Sequence, residues 1–184
     1  MENIIIKDNF LDKQLFKYIS DYMTKNSVPQ YFHDCEKFYN QGENLSGHCY
    51  RNWQGDTSSK PSRCVAMIAP IFDKLGLIDI DDLVYIKANF LTKSSKTKKN
   101  ALHVDVWDSE EKDALTLSPN AGLTTSILYL NTNNGYTYFP DGTKVESIAN
   151  RLLTFPSHQF HGGATCTDTY RRMVLNMTYK NIKE

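Results

Sequence analysis

Two stretches near the start of the chain carry the period of a helix. After "KDNFLD", Leu15, Phe16, Ile19, Tyr22 and Met23 recur at three- and four-residue spacing, which puts them on one face. Asp12 stands ahead of them as an N-cap, so a helix is expected from there to about residue 24, packed on the outside of a sheet. A second stripe, Val65, Ile68, Ala69 and Phe72, predicts a helix from about Ser62 to Lys74, closed by "LGL". Between them, residues 28–60 are polar and lack a sustained period, yet hold Tyr31, Phe32, Tyr39, Tyr50 and Trp53, as expected of an ordered insertion.

Beyond residue 81 the period shortens. "DLVYIKANFL", "ALHVDVW", "LTTSILYLN", "YTYF", "TKVES", "NRLLTFP" and "RRMVLNMTYK" are short and rich in β-branched and aromatic residues. Turn signals such as "NTNNG" and "PDGT" separate them. Seven or eight strands after two helices predict an α+β protein built on a β-sandwich or jelly roll. At 184 residues one domain over 1–184 is expected, with a helical and insert support region (1–80) and a β core (81–184). The stretch "KSSKTKKN", residues 93–100, has four lysines in eight positions and reads as a mobile, solvated loop.

Composition narrows the class. The charges cancel, 21 Lys plus Arg against 21 Asp plus Glu, which gives no general pull toward nucleic acid or anionic lipid. The charged start "MENIIIKDNFLDKQLF" fits neither a secretory signal nor a membrane span, so a cytoplasmic protein with no nucleic-acid or membrane partner is expected, a monomer being favoured with the oligomeric state left open. Cys35, Cys49, Cys64 and Cys166 form no C-x-x-C pair and are expected as free thiols.

The chemistry concentrates in "ALHVDVWD", residues 101–108. Side chains alternate along a strand, so His103, Asp105 and Trp107 share one face, while Leu102, Val104 and Val106 anchor the other. An H-x-D triplet alone is common, but "SHQFHGG" supplies His158 and His161 further along, and Arg171 and Arg172 follow. Two imidazoles and one carboxylate on one side of an ion form the facial triad of non-haem Fe(II) oxygenases. Arginine adds a planar fork matched to a carboxylate.

Together "HVD", "TSILYLN", "GYTYFPDG", "NRLLTFPSHQFHGG" and "YRRMVLNMTY", in that order, resemble the 2-oxoglutarate- and Fe(II)-dependent dioxygenases of the prolyl 4-hydroxylase type, in their short bacterial and phage form. The resemblance runs from about Leu83 to Tyr179 and implies a double-stranded β-helix (jelly roll) with the N-terminal helices on its outer face. It also implies His103, Asp105 and His161 as catalytic iron ligands, with His161 preferred to His158 because a Gly follows it closely. Arg172 rather than Arg171 would bind the keto acid, since the family's basic residue precedes a run like "MVLN", with Tyr129 and Thr125 near the same carboxylate or simply packed in the sheet.

The implied reaction consumes 2-oxoglutarate and O₂ at Fe(II), with ascorbate as a possible reductant, releases succinate and CO₂, and hydroxylates a C–H bond of a proline-containing peptide or protein. An aspartate at 105, where halogenating relatives have a small residue, points to hydroxylation. Trp107, Arg51 and Trp53 are candidate substrate contacts, Trp107 being equally an aromatic plug of the barrel interior. The segment from Tyr31 to Trp53 and the lysine loop are candidates to close over a substrate, though a plain solvated face suits the lysines as well. Two other readings remain: the same chemistry on a free amino acid, nucleobase or small metabolite, and a non-catalytic jelly-roll module with a structural metal. The last is disfavoured because structural zinc sites usually close four ligands with Cys and His.

Overall fold

The structure, a computed structural model, describes residues 4–24, 31–33, 44–51, 63–77, 82–105 and 122–180; at 31–33, 44–51, 63–67 and 85 it describes the backbone only. Strand β1 (Ile5–Lys7) leads into helix α1 (Lys13–Thr24); β2 (Tyr31–His33) and β3 (Asn44–Arg51) precede helix α2 (Arg63–Leu75). The strands β4 (Leu83–Thr92), β5 (Leu123–Tyr129), β6 (Tyr136–Tyr138), β7 (Lys144–Glu146), β8 (Leu152–Pro156), β9 (Gly162–Gly163) and β10 (Arg171–Lys180) follow.

Both helices begin or end where the sequence places them, for local reasons. Asp12 Oδ1 accepts the amides of Gln14 at 3.0 Å and Leu15 at 2.9 Å, satisfying two of the free N–H groups of the first turn of α1. At the other end of α2, Gly76 has φ +76°, and the amides of Gly76 and Leu77 reach back to the carbonyls of Asp73 (3.1 Å) and Phe72 (2.9 Å). That is a Schellman stop, which glycine enters without a Cβ penalty.

The strands form two antiparallel sheets, one ordered β1-β8-β5-β10-β4-β3-β2 and a smaller one ordered β7-β6-β9. At the centre of the large sheet, β10 is buried along eight consecutive residues. Its alternate positions divide the labour. Met173, Leu175, Met177 and Tyr179 join Ile19, Met23, Ile68, Ile71 and Phe72 of the two helices in one core. On the opposite face Val174 joins Ile127, Tyr129, Leu153 and Phe155 of the large sheet with Phe139 and Val145 beside the small one. The helices thus cover one side of the large sheet, and the small sheet covers the other.

Asn150 fastens the N-terminal segment to this frame. It sits at φ +66°, its side chain accepts the amide of Leu11 at 2.9 Å and donates to the Leu11 carbonyl at 2.7 Å, and its own carbonyl accepts from Phe10 at 2.9 Å. No helix among the described residues is long and apolar enough to cross a membrane.

Three expectations change. Residues 93–100 are not a mobile loop: Lys93 N–H reaches the Tyr170 carbonyl, Ser94 that of Cys166, Asn100 that of Gly163, and Thr165 N–H returns to Lys98, all within 3.1 Å. The backbone of the loop pairs as an extra edge of the small sheet, so its lysine side chains remain exposed while its main chain is fixed. Residues 101–105 form no regular strand. The bridges Lys99↔Ala164 and His103↔His161 differ by one residue in register, so an extra residue bulges between them. Leu102, expected as an anchor, is 39% exposed, because without a regular strand the alternation of faces is lost; Val104 is buried, and Val106 lies outside the described residues.

Candidate metal centre

His103 and His161 face each other across that bridge, with His103 N–H donating to the His161 carbonyl at 2.9 Å and His161 N–H to the His103 carbonyl at 3.0 Å. This reciprocal pair fixes the two Cα positions side by side, so both imidazoles leave the backbone in the same direction. Their ring centroids lie 4.7 Å apart. Asp105, two residues beyond His103, brings its carboxylate to the same place: Oδ1 is 3.7 Å from His103 Nε2 and Oδ2 3.5 Å from His161 Nε2. One ligand atom from each of the three residues lies within 4.8 Å of the others.

The hydrogen bonds of the rings decide which nitrogen is free. His103 Nδ1 faces the Ala101 carbonyl at 3.2 Å and His161 Nδ1 the Gln159 carbonyl at 3.1 Å. A carbonyl only accepts, so each Nδ1 carries the proton and each Nε2 presents a lone pair, the arrangement that a backbone carbonyl behind the ring imposes on metal-bound histidines. His161 Nε2 is buried with no hydrogen-bond partner, a deficit that a cation beside it removes. Burial also holds the His161 imidazole below the ordinary histidine range, against the opposing pull of Asp105, which keeps that lone pair unprotonated.

Two donors about 2.1 Å from one ion and at right angles stand about 3 Å apart. The observed 3.5 and 3.7 Å lie a little wider, within reach of small side-chain adjustments. The donor set, two nitrogens and a carboxylate, therefore fits a divalent transition metal. His161 is walled by the Phe155 ring, centroids 4.7 Å apart, whereas His103 has a 30% exposed side chain and marks the open side.

Arg172 lies on the same inner face of β10. It is 3% exposed, and its Nε and Nη2 donate to the hydroxyls of Ser147 (2.8 Å) and Thr137 (2.9 Å). No carboxylate among the described residues stands within ion-pair distance, and burial pushes its affinity for the proton down. The backbone gives way to admit it: a Cβ on Gly135 would stand 2.8 Å from Arg172 Cδ, and one on Gly163 would stand 3.3 Å from its Nη1. Arg171 points to the helical side, donating to the Thr24 carbonyl at 2.9 Å and lying over Phe90.

The other residues singled out from the sequence divide. Tyr129 is fully buried, stacks near Arg172 at 5.5 Å and donates to Thr137 at 2.7 Å; burial raises its phenol, which stays protonated. Thr125 is not with Arg172. Its hydroxyl is committed to Ser157 (2.9 Å) and Thr178 (3.4 Å), and Thr178 lies six residues along β10 from Arg172, about 20 Å at strand rise. His158 is half-buried and outside the cluster. Trp53 and Trp107 lie outside the described residues, and Arg51 is described only as backbone in β3.

Sequence reasoning passed over Asn176, Thr137 and Ser147. Asn176 Nδ2 stands 3.4 and 3.5 Å from the two Asp105 oxygens. Asn176 and Thr137 were marked by being polar at inward positions of otherwise apolar strands; Ser147, in a loop, carried no such mark.

No family model and no curated protein matches the chain in sequence. Its fold, however, matches solved structures along nearly its whole length. A prolyl-4-hydroxylase of Pseudomonas putida superposes with a TM-score of 0.60 at 12% identity, over 100% of this chain and 95% of that one. HygX of Streptomyces hygroscopicus, solved with nickel and 2-oxoglutarate, gives 0.61 at 12% identity over 98% and 83%. A prolyl hydroxylase of Trichoplax adhaerens, in complex with a hypoxia-inducible-factor peptide fragment, gives 0.57 at 13% identity over 98% and 84%. The chain thus has the fold of the 2-oxoglutarate-dependent oxygenases. In that fold it is similar to the two prolyl hydroxylases and to HygX.

Proposed function

We propose that the protein is an Fe(II)- and 2-oxoglutarate-dependent oxygenase with a double-stranded β-helix core, which hydroxylates a C–H bond of its substrate and releases succinate and CO₂. The observation that carries this reading is the convergence of His103, Asp105 and His161, with His161 Nε2 buried and unpartnered. Iron(II) supplies there what no side chain can, a reducing centre for O₂.

The chain's own residues hold and shield the reactants. His103, Asp105 and His161 bind the ion, and the carbonyls of Ala101 and Gln159 keep both imidazoles in the binding tautomer. Arg172, deep and without a carboxylate of its own, receives the distal carboxylate of 2-oxoglutarate; Thr137 and Ser147 orient its guanidinium, and Tyr129 acts on it from behind. Phe155, Ile127 and Val174 line the inner face and exclude water. Asp105 balances the charge of the ion and leaves hydroxylation as the outcome.

A prolyl residue in a peptide or protein is the substrate we favour, supported by the two prolyl hydroxylases among the similar structures, one of them bound to a peptide. The second reading, a small molecule, is supported by HygX, which has been solved with hygromycin B bound. Incubation with Fe(II), ascorbate, 2-oxoglutarate and either proline-rich peptides or small metabolites separates them. Mass spectrometry showing a gain of one oxygen on peptide prolines is expected; oxygen gained on the small molecules alone would assign the second reading.

A further inference from the structure

The Asp105 carboxylate has one protein donor among the described residues, since the imidazole Nε2 atoms that face it carry lone pairs. Asn176 comes from the inner face of β10, between Val174 and Thr178, and is 4% exposed. Its Nδ2 sits almost equally far from both carboxylate oxygens, 3.4 and 3.5 Å, so it bisects the carboxylate instead of holding one oxygen. The amide cannot be turned over, because Oδ1 would then face a carboxylate. In this orientation Oδ1 is buried with no partner. A protein rarely keeps an orphaned acceptor in the centre of its main sheet without a return elsewhere.

We infer that Asn176 is a positioning residue: through its amide it fixes the plane of the Asp105 carboxylate, and thereby the spacing of Oδ1 toward His103 and Oδ2 toward His161, for a divalent metal. The inference rests on the metal reading of these three side chains and adds to it the element that presets them. Asp105 needs such a support more than its partners do. His103 and His161 are locked by the reciprocal backbone pair and by their carbonyl-bound Nδ1 atoms, whereas Asp105 is at a bend where the chain leaves the small sheet. Its side chain would otherwise turn about its own bonds and meet the ion in several ways. Asn176 stands on the rigid central strand, paired with β4 and β5 on both sides, and so transmits the stiffness of the large sheet to the one ligand on irregular backbone.

The test is the affinity for manganese(II) by calorimetry, with the lineshape of the bound ion in electron paramagnetic resonance as a second readout. Replacing Asn176 by Leu keeps the heavy-atom count and branching of the side chain and removes the donor; Asn176→Ala is the companion should the bulkier Leu fail to fold. The dissociation constant is expected to rise about 10- to 100-fold, the range for loss of an outer-shell partner. The Mn(II) spectrum is expected to change, while the thermal midpoint of the metal-free protein stays level or rises, since an orphaned acceptor is removed. Wild-type affinity and spectrum in a folded variant would overturn the inference. If wild type binds no manganese(II), or Asp105→Ala binds it equally well, the metal reading itself fails; if only the Asn176 variants match wild type, the positioning role alone falls.

Discussion

Burying a guanidinium without a carboxylate beside it is unfavourable, and Arg172 is kept in that state by two neutral hydroxyls. In the proposed function, the distal carboxylate of 2-oxoglutarate resolves the imbalance. Replacing Arg172 by Leu is therefore expected to raise the 2-oxoglutarate requirement by about 10- to 100-fold, the equivalent of one charge-assisted bond of about 1.5–3 kcal/mol, without lowering the melting temperature. Arg171→Leu should leave that requirement unchanged, because its guanidinium serves the end of α1. Steady-state titration of 2-oxoglutarate in both variants distinguishes the neighbours. Gly135→Ala should raise the requirement and also lower the melting temperature, since the added carbon meets Arg172 Cδ, the Ala164 carbonyl oxygen and Asn133 Oδ1, each at 2.8 Å. Much of this was open to sequence reading: alternation alone puts Arg171 and Arg172 on opposite faces, and "HVD" with a later His names the three side chains that the fold brings together. Thr125 misled for the same reason. It shares a strand face with Tyr129, but strand length, not face, separates it from Arg172.

At the scale of elements, the helices were legible because their signals are local: a carboxylate before the first turn, a glycine after the last. Asp12→Ala is expected to destabilise the protein by about 1 kcal/mol, measured by denaturant unfolding. The edge made by residues 98–103 was not legible. Its lysines suit a solvated loop, and the bonds that fix it belong to partners more than 50 residues away, at His161, Gly163 and Thr165. The one-residue bulge between its two bridges has no sequence signal either, because only the pairing defines it. A fixed loop of this kind makes a poor lid. Hydrogen exchange should show the amides of Asn100 and His103 protected in the metal-free protein, whereas a mobile lid would exchange them quickly.

Across the whole molecule, two of the contacts between the β core and the N-terminal segment differ in their sensitivities. Asn150 ties Leu11 through two buried bonds, and Asn150→Ala, which strands both backbone groups, should cost about 2 kcal/mol or more. Arg151 grips Asp8 with Nε and Nη2 at 2.6 and 3.0 Å, in the open, and the guanidinium holds the Asp8 carboxyl below its usual value of 3.8. A depressed carboxylate contributes stability that is present above its unfolded value and is lost as pH falls through the folded one. Asp8→Asn should therefore lower stability by less than about 1 kcal/mol at neutral pH, given the exposure of the pair, and the gap from wild type should close in strong acid. Neither contact touches the metal centre, so both variants should retain turnover.

The central claim is that His103, Asp105 and His161 form one metal site that consumes 2-oxoglutarate. Succinate release from labelled 2-oxoglutarate, measured with Fe(II) and ascorbate in wild type and in folded Asp105→Ala, tests it most directly. The account predicts release by wild type and none above background by the variant; equal release by both would contradict it.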